Sequence, residues 1–161
     1  MSDLAIRFAS ADDVPLILRF IRDLARYEKL EHEVVVTEEI LKQTLFGPRR
    51  YAEVLIGEVN GEPAGFALFF HNFSTFIGRP GIYLEDLFVR PEHRGRGFGK
   101  ALLARLAQLA IERNCGRVEW AVLDWNTPAI DFYKSIGAVM MTDWRIFRLK
   151  GQSLETLARN R

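Results

Sequence analysis

The chain has 161 residues, 48% of them hydrophobic and 27% charged, with a net charge of +1, which suits one soluble globular domain spanning residues 1–161. This balance argues against a general nucleic-acid or membrane-surface binder, and a lone cysteine, Cys115, excludes an internal disulfide framework. No apolar run approaches a membrane span and the opening MSDLAIRFASADD has no signal-peptide core, so the expected setting is the reducing cytosol.

In chain order, Leu4 to Ala9 alternates as a short strand. Ser10 is placed to cap a helix with Asp12 and Asp13 in its first turn, and Leu16, Phe20, Leu24 and Tyr27 then recur at helical spacing. Thr37-Glu38-Glu39 opens a shorter helix that ends near Gly47-Pro48. Tyr51–Val59 and Pro63–His71 read as a hairpin turned by Asn60-Gly61, and Phe73–Gly81 reads as a loop. Gly81–Val89 is a strand, and Lys100–Arg113 an amphipathic helix with Leu102, Leu103, Leu106, Leu109 and Ala110 on one face. Val118–Leu123 is a further strand, which makes residues 81–123 a β-α-β crossover. Asn126 can cap a helix that carries Pro128 in its first turn and stops at Gly137. Val139–Met141 and Trp144–Leu149 suggest a terminal strand pair, and Ser153–Ala158 a short helix. The order implies an α/β fold around one mixed sheet.

Between the strand ending at Val89 and the helix from Lys100 lies PEHRGRGFGK, Pro91–Lys100. Unpaired N–H groups at a helix start and the helix dipole favour an anion, and glycine permits close approach. Arg94, Arg96 and Lys100 add charge, so a phosphate or pyrophosphate is the natural guest. The spacing excludes two phosphate loops. Gly99-Lys100 has Arg94 where a P-loop needs its first glycine, and Ala101 follows instead of Ser or Thr. Gly95, Gly97 and Gly99 are each two apart, unlike the G-x-G-x-x-G of a dinucleotide fold. A tight connection with a solvated basic rim is the plainer alternative.

Arg94-Gly95-Arg96-Gly97-Phe98-Gly99 fits R/Q-x-x-G-x-G/A, the acetyl-CoA pyrophosphate loop of the GNAT superfamily of N-acetyltransferases. Asn126-Thr127-Pro128-Ala129-Ile130-Asp131-Phe132-Tyr133, with Gly137-Ala138 after it, resembles that superfamily's second cofactor motif. Ala25–Leu30, Tyr83–Val89, Ala121–Asn126 and Trp144 resemble the spermidine/spermine acetyltransferase branch, and within it the thialysine acetyltransferases. The resemblance implies a mostly antiparallel sheet flanked by helices, with a splayed central strand pair. It also implies acetyl-CoA as co-substrate, a small primary amine as acceptor, direct transfer without an acyl-enzyme, and a homodimer. Acetylation of a protein or peptide amine, or a non-catalytic acyl-CoA-binding module on the same fold, are the alternatives.

The resemblance assigns roles residue by residue. Tyr133 matches the tyrosine set beside the cofactor sulfur as general acid; its plain alternative is a core aromatic, since Ala129, Phe132 and Ile136 already mark the buried side of its helix. Glu85 matches the glutamate that helps deprotonate the amine, and Asp86 an aspartate of substrate contact or structural hydrogen bonding. Neighbours on a strand point to opposite faces, so both reach one side only if a bulge intervenes. Backbone groups of Leu87, Phe88 and Val89 are expected to pair with the pantetheine arm, the Leu87 N–H being the candidate oxyanion donor. Arg94, Gly95, Arg96, Gly97, Phe98, Gly99 and Lys100 form the donor loop, and Asn126 the cofactor-side asparagine, a residue that can equally cap its helix. Glu28, Glu31 and Glu33 suit a cationic acceptor or a solvated surface, and Trp144 walls the acceptor pocket or packs the terminal hairpin. The histidines lack metal-ligand spacing, no metal is expected, and Cys115 reads as structural.

Overall fold

The strand-forming runs pair into one sheet whose spatial order follows the sequence: β1 (Leu4–Phe8), β2 (Glu53–Val59), β3 (Glu62–Ser74), β4 (Arg79–Val89) and β5 (Val118–Trp120). The first four are antiparallel and β5 joins β4 in parallel, with Ile82, Tyr83 and Leu84 opposite Val118, Glu119 and Trp120. The computed structural model describes residues 3–160. These form two compact units, divided between Ala121 and Val122.

In the first unit, α1 (Val14–Tyr27) and α2 (Glu38–Phe46) cover one face of the sheet. Ser10 opens a short 3-10 turn ahead of α1, where the Asp13 carboxylate accepts from the Ser10 N–H at 2.7 Å. Helical spacing buries Leu16, Ile17, Phe20 and Leu24 of α1 against Val54, Ile56, Phe66 and Phe88 of the strands. Each such side chain contributes about 1.5–3 kcal/mol through area removed from water. The Thr37 hydroxyl caps α2 by accepting from the Ile40 N–H at 3.2 Å. The crossover helix α3 (Phe98–Glu112) lies on the other face: Val89, next to the α1-facing Phe88, packs instead with Phe98.

The Asn60-Gly61 turn carries φ of 51° and 78°, as a two-residue hairpin requires. The loop expected over Phe73–Gly81 is mostly strand. The ladder runs on to Ser74 opposite Arg79, and only residues 75–78 turn, with Gly78 at φ 66°. Glycine, proline and serine there resemble loop chemistry locally, but the long partner strand overrides them.

The second unit holds α4 (Thr127–Ser135) and α5 (Gly151–Ala158). Asn126 caps α4, its Oδ1 accepting from the Ala129 N–H at 3.4 Å, and Gly137 ends the segment at φ 93°. The terminal strand pair is not formed. Residues 139–149 carry no strand, and Val139, Ile146 and Phe147 are 79%, 80% and 93% exposed. An apolar alternating run needs a free sheet edge, and among the described residues of this unit there is none to pair with. The β5 strand is likewise shorter than expected, ending at Trp120 rather than Leu123.

Gly65 of β3 lies opposite Val89 of β4, with the β4 backbone close against it. A Cβ there runs into the Phe88 carbonyl oxygen and meets the Val89 Cα at 3.2 Å, backbone atoms that cannot swing aside. Gly65→Ala is therefore expected to cost about 2 kcal/mol by overpacking. Melting should fall by roughly 4–8 °C, read by circular dichroism; an unchanged melting temperature contradicts the tight approach.

Candidate active site

Glu85 and Asp86 owe their placement to one irregularity. Leu68 pairs with Asp86, but the next β3 residue, Phe69, pairs with Leu84, so Glu85 is an extra residue bulged out of β4. Cross-strand partners share a face. Phe66↔Phe88 and Leu68↔Asp86 therefore face α1, while Phe69↔Leu84 face α3. The bulge switches the alternation at Glu85, and the electrostatics show what it gathers. Burial first, then the charges of Glu85 and Glu28, push the Asp86 carboxyl up to about 7. Burial and then Glu85 raise Glu28, which sits at the C-terminal cap of α1. Three carboxyl groups from two elements thus share one field, with Asp86 the most buried.

Tyr83, the first residue of the Tyr83–Val89 run, belongs to the same patch, although the resemblance assigns it no role. Its hydroxyl is pushed above its ordinary pKa by burial and then by Glu85 and Glu119. The signals in the sequence are its place at the head of that run and two residues before Glu85 on the strand. Glu31 is instead paired with Arg26 at 3.0 Å, and Glu33 lies 3.6 Å from His32.

Just past the carboxylates the sheet opens. The ladder between β4 and β5 ends at Leu84–Trp120, while β4 continues to Val89. Glu85, Asp86, Leu87, Phe88 and Val89 keep β3 or its bulge on one side and, among the described residues, have no strand partner on the other. The side chain of Phe88 is core, 5% exposed; any role toward a ligand falls to its backbone.

After Val89 a short 3-10 turn, Pro91–His93, leads into the glycine loop. Gly95 and Gly97 have φ of 75° and 80°, and a Cβ at either would meet nothing within 4 Å. The loop surface is open where these glycines face out. Gly97 is the N-cap of α3, so the first-turn N–H groups of Phe98, Gly99 and Lys100 lack intrahelical acceptors. Phe98 anchors the turn in the core at 2% exposure, and Lys100 is exposed. Arg96 lies over the Phe98 ring at 4.8 Å, with Asp3 at 3.8 Å. The Arg94 Nε donates to the Val89 carbonyl at 2.9 Å, and its guanidinium lies over the rings of Tyr27 and Phe88. An open glycine cradle, a helix start and a splayed strand fit a pyrophosphate with an extended arm.

In the second unit Tyr133 is a half-buried residue of α4, its ring 5.6 Å from that of Phe132. Asn126 performs the capping role noted above. Trp144 is 74% exposed in the strandless segment, which removes its alternative as packing for a terminal hairpin. Among the described residues no cluster of His, Cys, Asp or Glu is arranged to hold a metal ion. Among them, too, no helix is long and apolar enough to cross a membrane.

Comparison with known proteins identifies the family. The model of the acetyltransferase (GNAT) family matches residues 18–138, from α1 through α4. The chain is 40% identical to a thialysine N-epsilon-acetyltransferase of Sus scrofa, covering 98% of this chain and 99% of that protein. It is 34% identical to the L-ornithine N5-acetyltransferase NATA1 of Arabidopsis thaliana, over 94% of this chain and 86% of that one. An integron cassette protein from the mobile metagenome of V. cholerae superposes with a TM-score of 0.82 at 28% identity, covering 99% of this chain and 100% of that one. The glycine loop, the splayed strand and the bulged carboxylates therefore sit in a chain that belongs to the GNAT family, an N-acetyltransferase that uses acetyl-CoA as co-substrate.

Proposed function

We propose that the protein transfers acetyl to a primary amine of a small cationic molecule: a diamine, a polyamine or a thialysine-like amino acid. The observation that carries this reading is the bulge that turns Glu85 and Asp86 toward Glu28 where β4 parts from β5. A cluster of three coupled carboxyl groups favours an acceptor with more than one positive centre. Relatives named for thialysine and ornithine, both small amines, support the same class.

Acetyl-CoA supplies the acetyl group as a thioester. Backbone N–H groups of Gly95, Gly97, Phe98, Gly99 and Lys100 hold its pyrophosphate, with Arg96 and Lys100 supplying charge. The freed backbone of Leu87, Phe88 and Val89 aligns the extended arm, and the Leu87 N–H is the donor toward developing negative charge on oxygen. Asn126 serves the cofactor side. Glu28 and Asp86 bind the ammonium, and Glu85 takes the amine proton through water. Transfer is direct within a ternary complex, with no acyl-enzyme. The Tyr133 Oη holds the proton offered to the departing sulfur, since a phenol remains protonated at neutral pH. Tyr133→Phe is expected to lower kcat by about 10²-fold with CoA affinity nearly unchanged. Unaltered kcat in a thiol-release assay removes that role.

Residues 1–161 are read as one acetyltransferase domain working in the cytoplasm, and as a homodimer. Support for the dimer comes from the exposed apolar run Val139–Leu149, which suits burial against a second copy. Sedimentation velocity should give about twice the 18.5 kDa chain mass; a monomer at micromolar concentration rejects the dimer.

A further inference from the structure

We infer that Arg94 is a positioning residue that ties the donor loop to the acceptor-side end of α1, so that one guanidinium sets the two substrate sites relative to each other. The inference rests on the reading of the glycine loop as donor site and of Glu28, Glu85 and Asp86 as acceptor site.

Three contacts carry it. The Arg94 Nε donates to the Val89 carbonyl at 2.9 Å. The guanidinium carbon lies 5.0 Å from the centroid of the Tyr27 ring and 5.4 Å from that of Phe88. These join a longer chain of ring contacts. Phe88 meets Phe20 edge-on at 6.3 Å, Phe20 stacks on Phe66 at 5.1 Å, and Arg90 lies over Phe20 at 5.2 Å. The series runs from the last turn of α1 through the core to the exit of β4.

Its two ends each lie one residue from a working position. Tyr27 immediately precedes Glu28, the carboxylate coupled to Glu85 and Asp86. Arg94 immediately precedes Gly95, which opens the loop at φ 75°. The arginine thus grips the end of the splayed strand, the acceptor helix and the start of the loop together. A planar guanidinium can lie against aromatic rings while an in-plane N–H reaches a carbonyl; a lysine ammonium cannot satisfy both geometries. A positive charge near the loop is expected from the motif alone. Its engagement with a carbonyl and two rings on the α1 side is a separate property of this fold.

The test reads each change at the opposite site, in the full-length protein. Tyr27→Leu alters the acceptor side, yet it should weaken CoA binding about fivefold by calorimetry, because Arg94 loses a ring that holds it. Arg94→Gln alters the donor side, yet it should raise the amine KM about tenfold at saturating acetyl-CoA, measured with an acceptor that the unaltered enzyme acetylates. Arg94→Lys should behave like Arg94→Gln on the amine KM, and Tyr27→Phe like the unaltered enzyme. The double variant Tyr27→Leu/Arg94→Gln should be no worse than the weaker single one. Melting curves identify any variant that fails to fold, in which case Arg94→Lys and Tyr27→Leu carry the test. The proposal is overturned if Tyr27→Leu leaves CoA affinity unchanged, if the Arg94 variants affect only CoA, or if the two changes add. Failure of the unaltered protein to bind CoA, or to acetylate any amine, overturns the underlying reading itself and is seen before any variant is made.

Discussion

Gly97→Glu is expected to abolish CoA binding, weakening it by at least about 10²-fold. Two effects act together. Gly97 holds φ 80° at the N-cap of α3, a conformation that costs an L side chain about 1–2 kcal/mol. Beyond it the space is open, with no protein atom within 4 Å of the point a β-carbon would occupy, and the proposed donor site puts the pyrophosphate there. A carboxylate there puts negative charge at the positive end of the helix dipole and fills the cradle. Gly97→Ala separates the two effects: it adds the backbone strain without the charge, and should cost stability while leaving most CoA affinity. Calorimetric titration with CoA reads both. Normal binding by Gly97→Glu would falsify the donor-loop assignment.

Glu85→Gln should lower kcat/KM for the amine by about 10²–10³-fold, the size of effect that general-base groups carry. The pH dependence makes the claim more specific. Asp86 is raised from 3.8 to about 7 by burial, then by Glu85 and Glu28. A cationic amine binds best to the ionised carboxylate, so kcat/KM should rise with pH through an ascending limb near 7. Glu85→Gln removes a negative charge beside Asp86, so its residual activity should show that limb at lower pH. Asp86→Asn should remove it. A limb that stays near 7 in Asp86→Asn contradicts the assignment. Stability follows the same linkage with the sign fixed by the direction of the shift. The folded chain holds a proton that the unfolded chain loses above 3.8, so stability falls as pH rises from about 4 to 7 and is level above. Asp86→Asn escapes that loss and should melt higher than the unaltered protein at about pH 8, with no advantage at about pH 4.

Local chemistry made much of the frame legible. Asn60-Gly61 can hardly be read except as a tight hairpin, and both residues adopt the positive φ it needs. Thr37 and Asn126 cap the helices they precede because a side-chain oxygen three residues ahead of an orphan N–H has one obvious use. The glycine loop was legible as a connection between a strand and a helix start, and Gly95 and Gly97 adopt the positive φ that such a turn uses. What stayed hidden depends on partners distant in sequence. The bulge at Glu85 exists only in the register between β3 and β4, and no feature of YLEDLFV alone announces it. The extension of the β3–β4 hairpin to Ser74 and Arg79 likewise comes from pairing that outweighs local turn residues. Val139–Leu149 has strand-like composition but no strand, since composition cannot provide an edge. Arg94 was legible as charge, whereas its engagement with Val89, Tyr27 and Phe88 follows from the way α1 lies on the sheet.

The most direct measurement of the central claim is CoA release from acetyl-CoA by the purified protein against diamines, polyamines, lysine analogues and peptides. The account predicts rapid thiol release with one or more small cationic amines, and product acetylated on a primary amine. Release with peptides alone, or no release from a protein that binds CoA tightly, would contradict it.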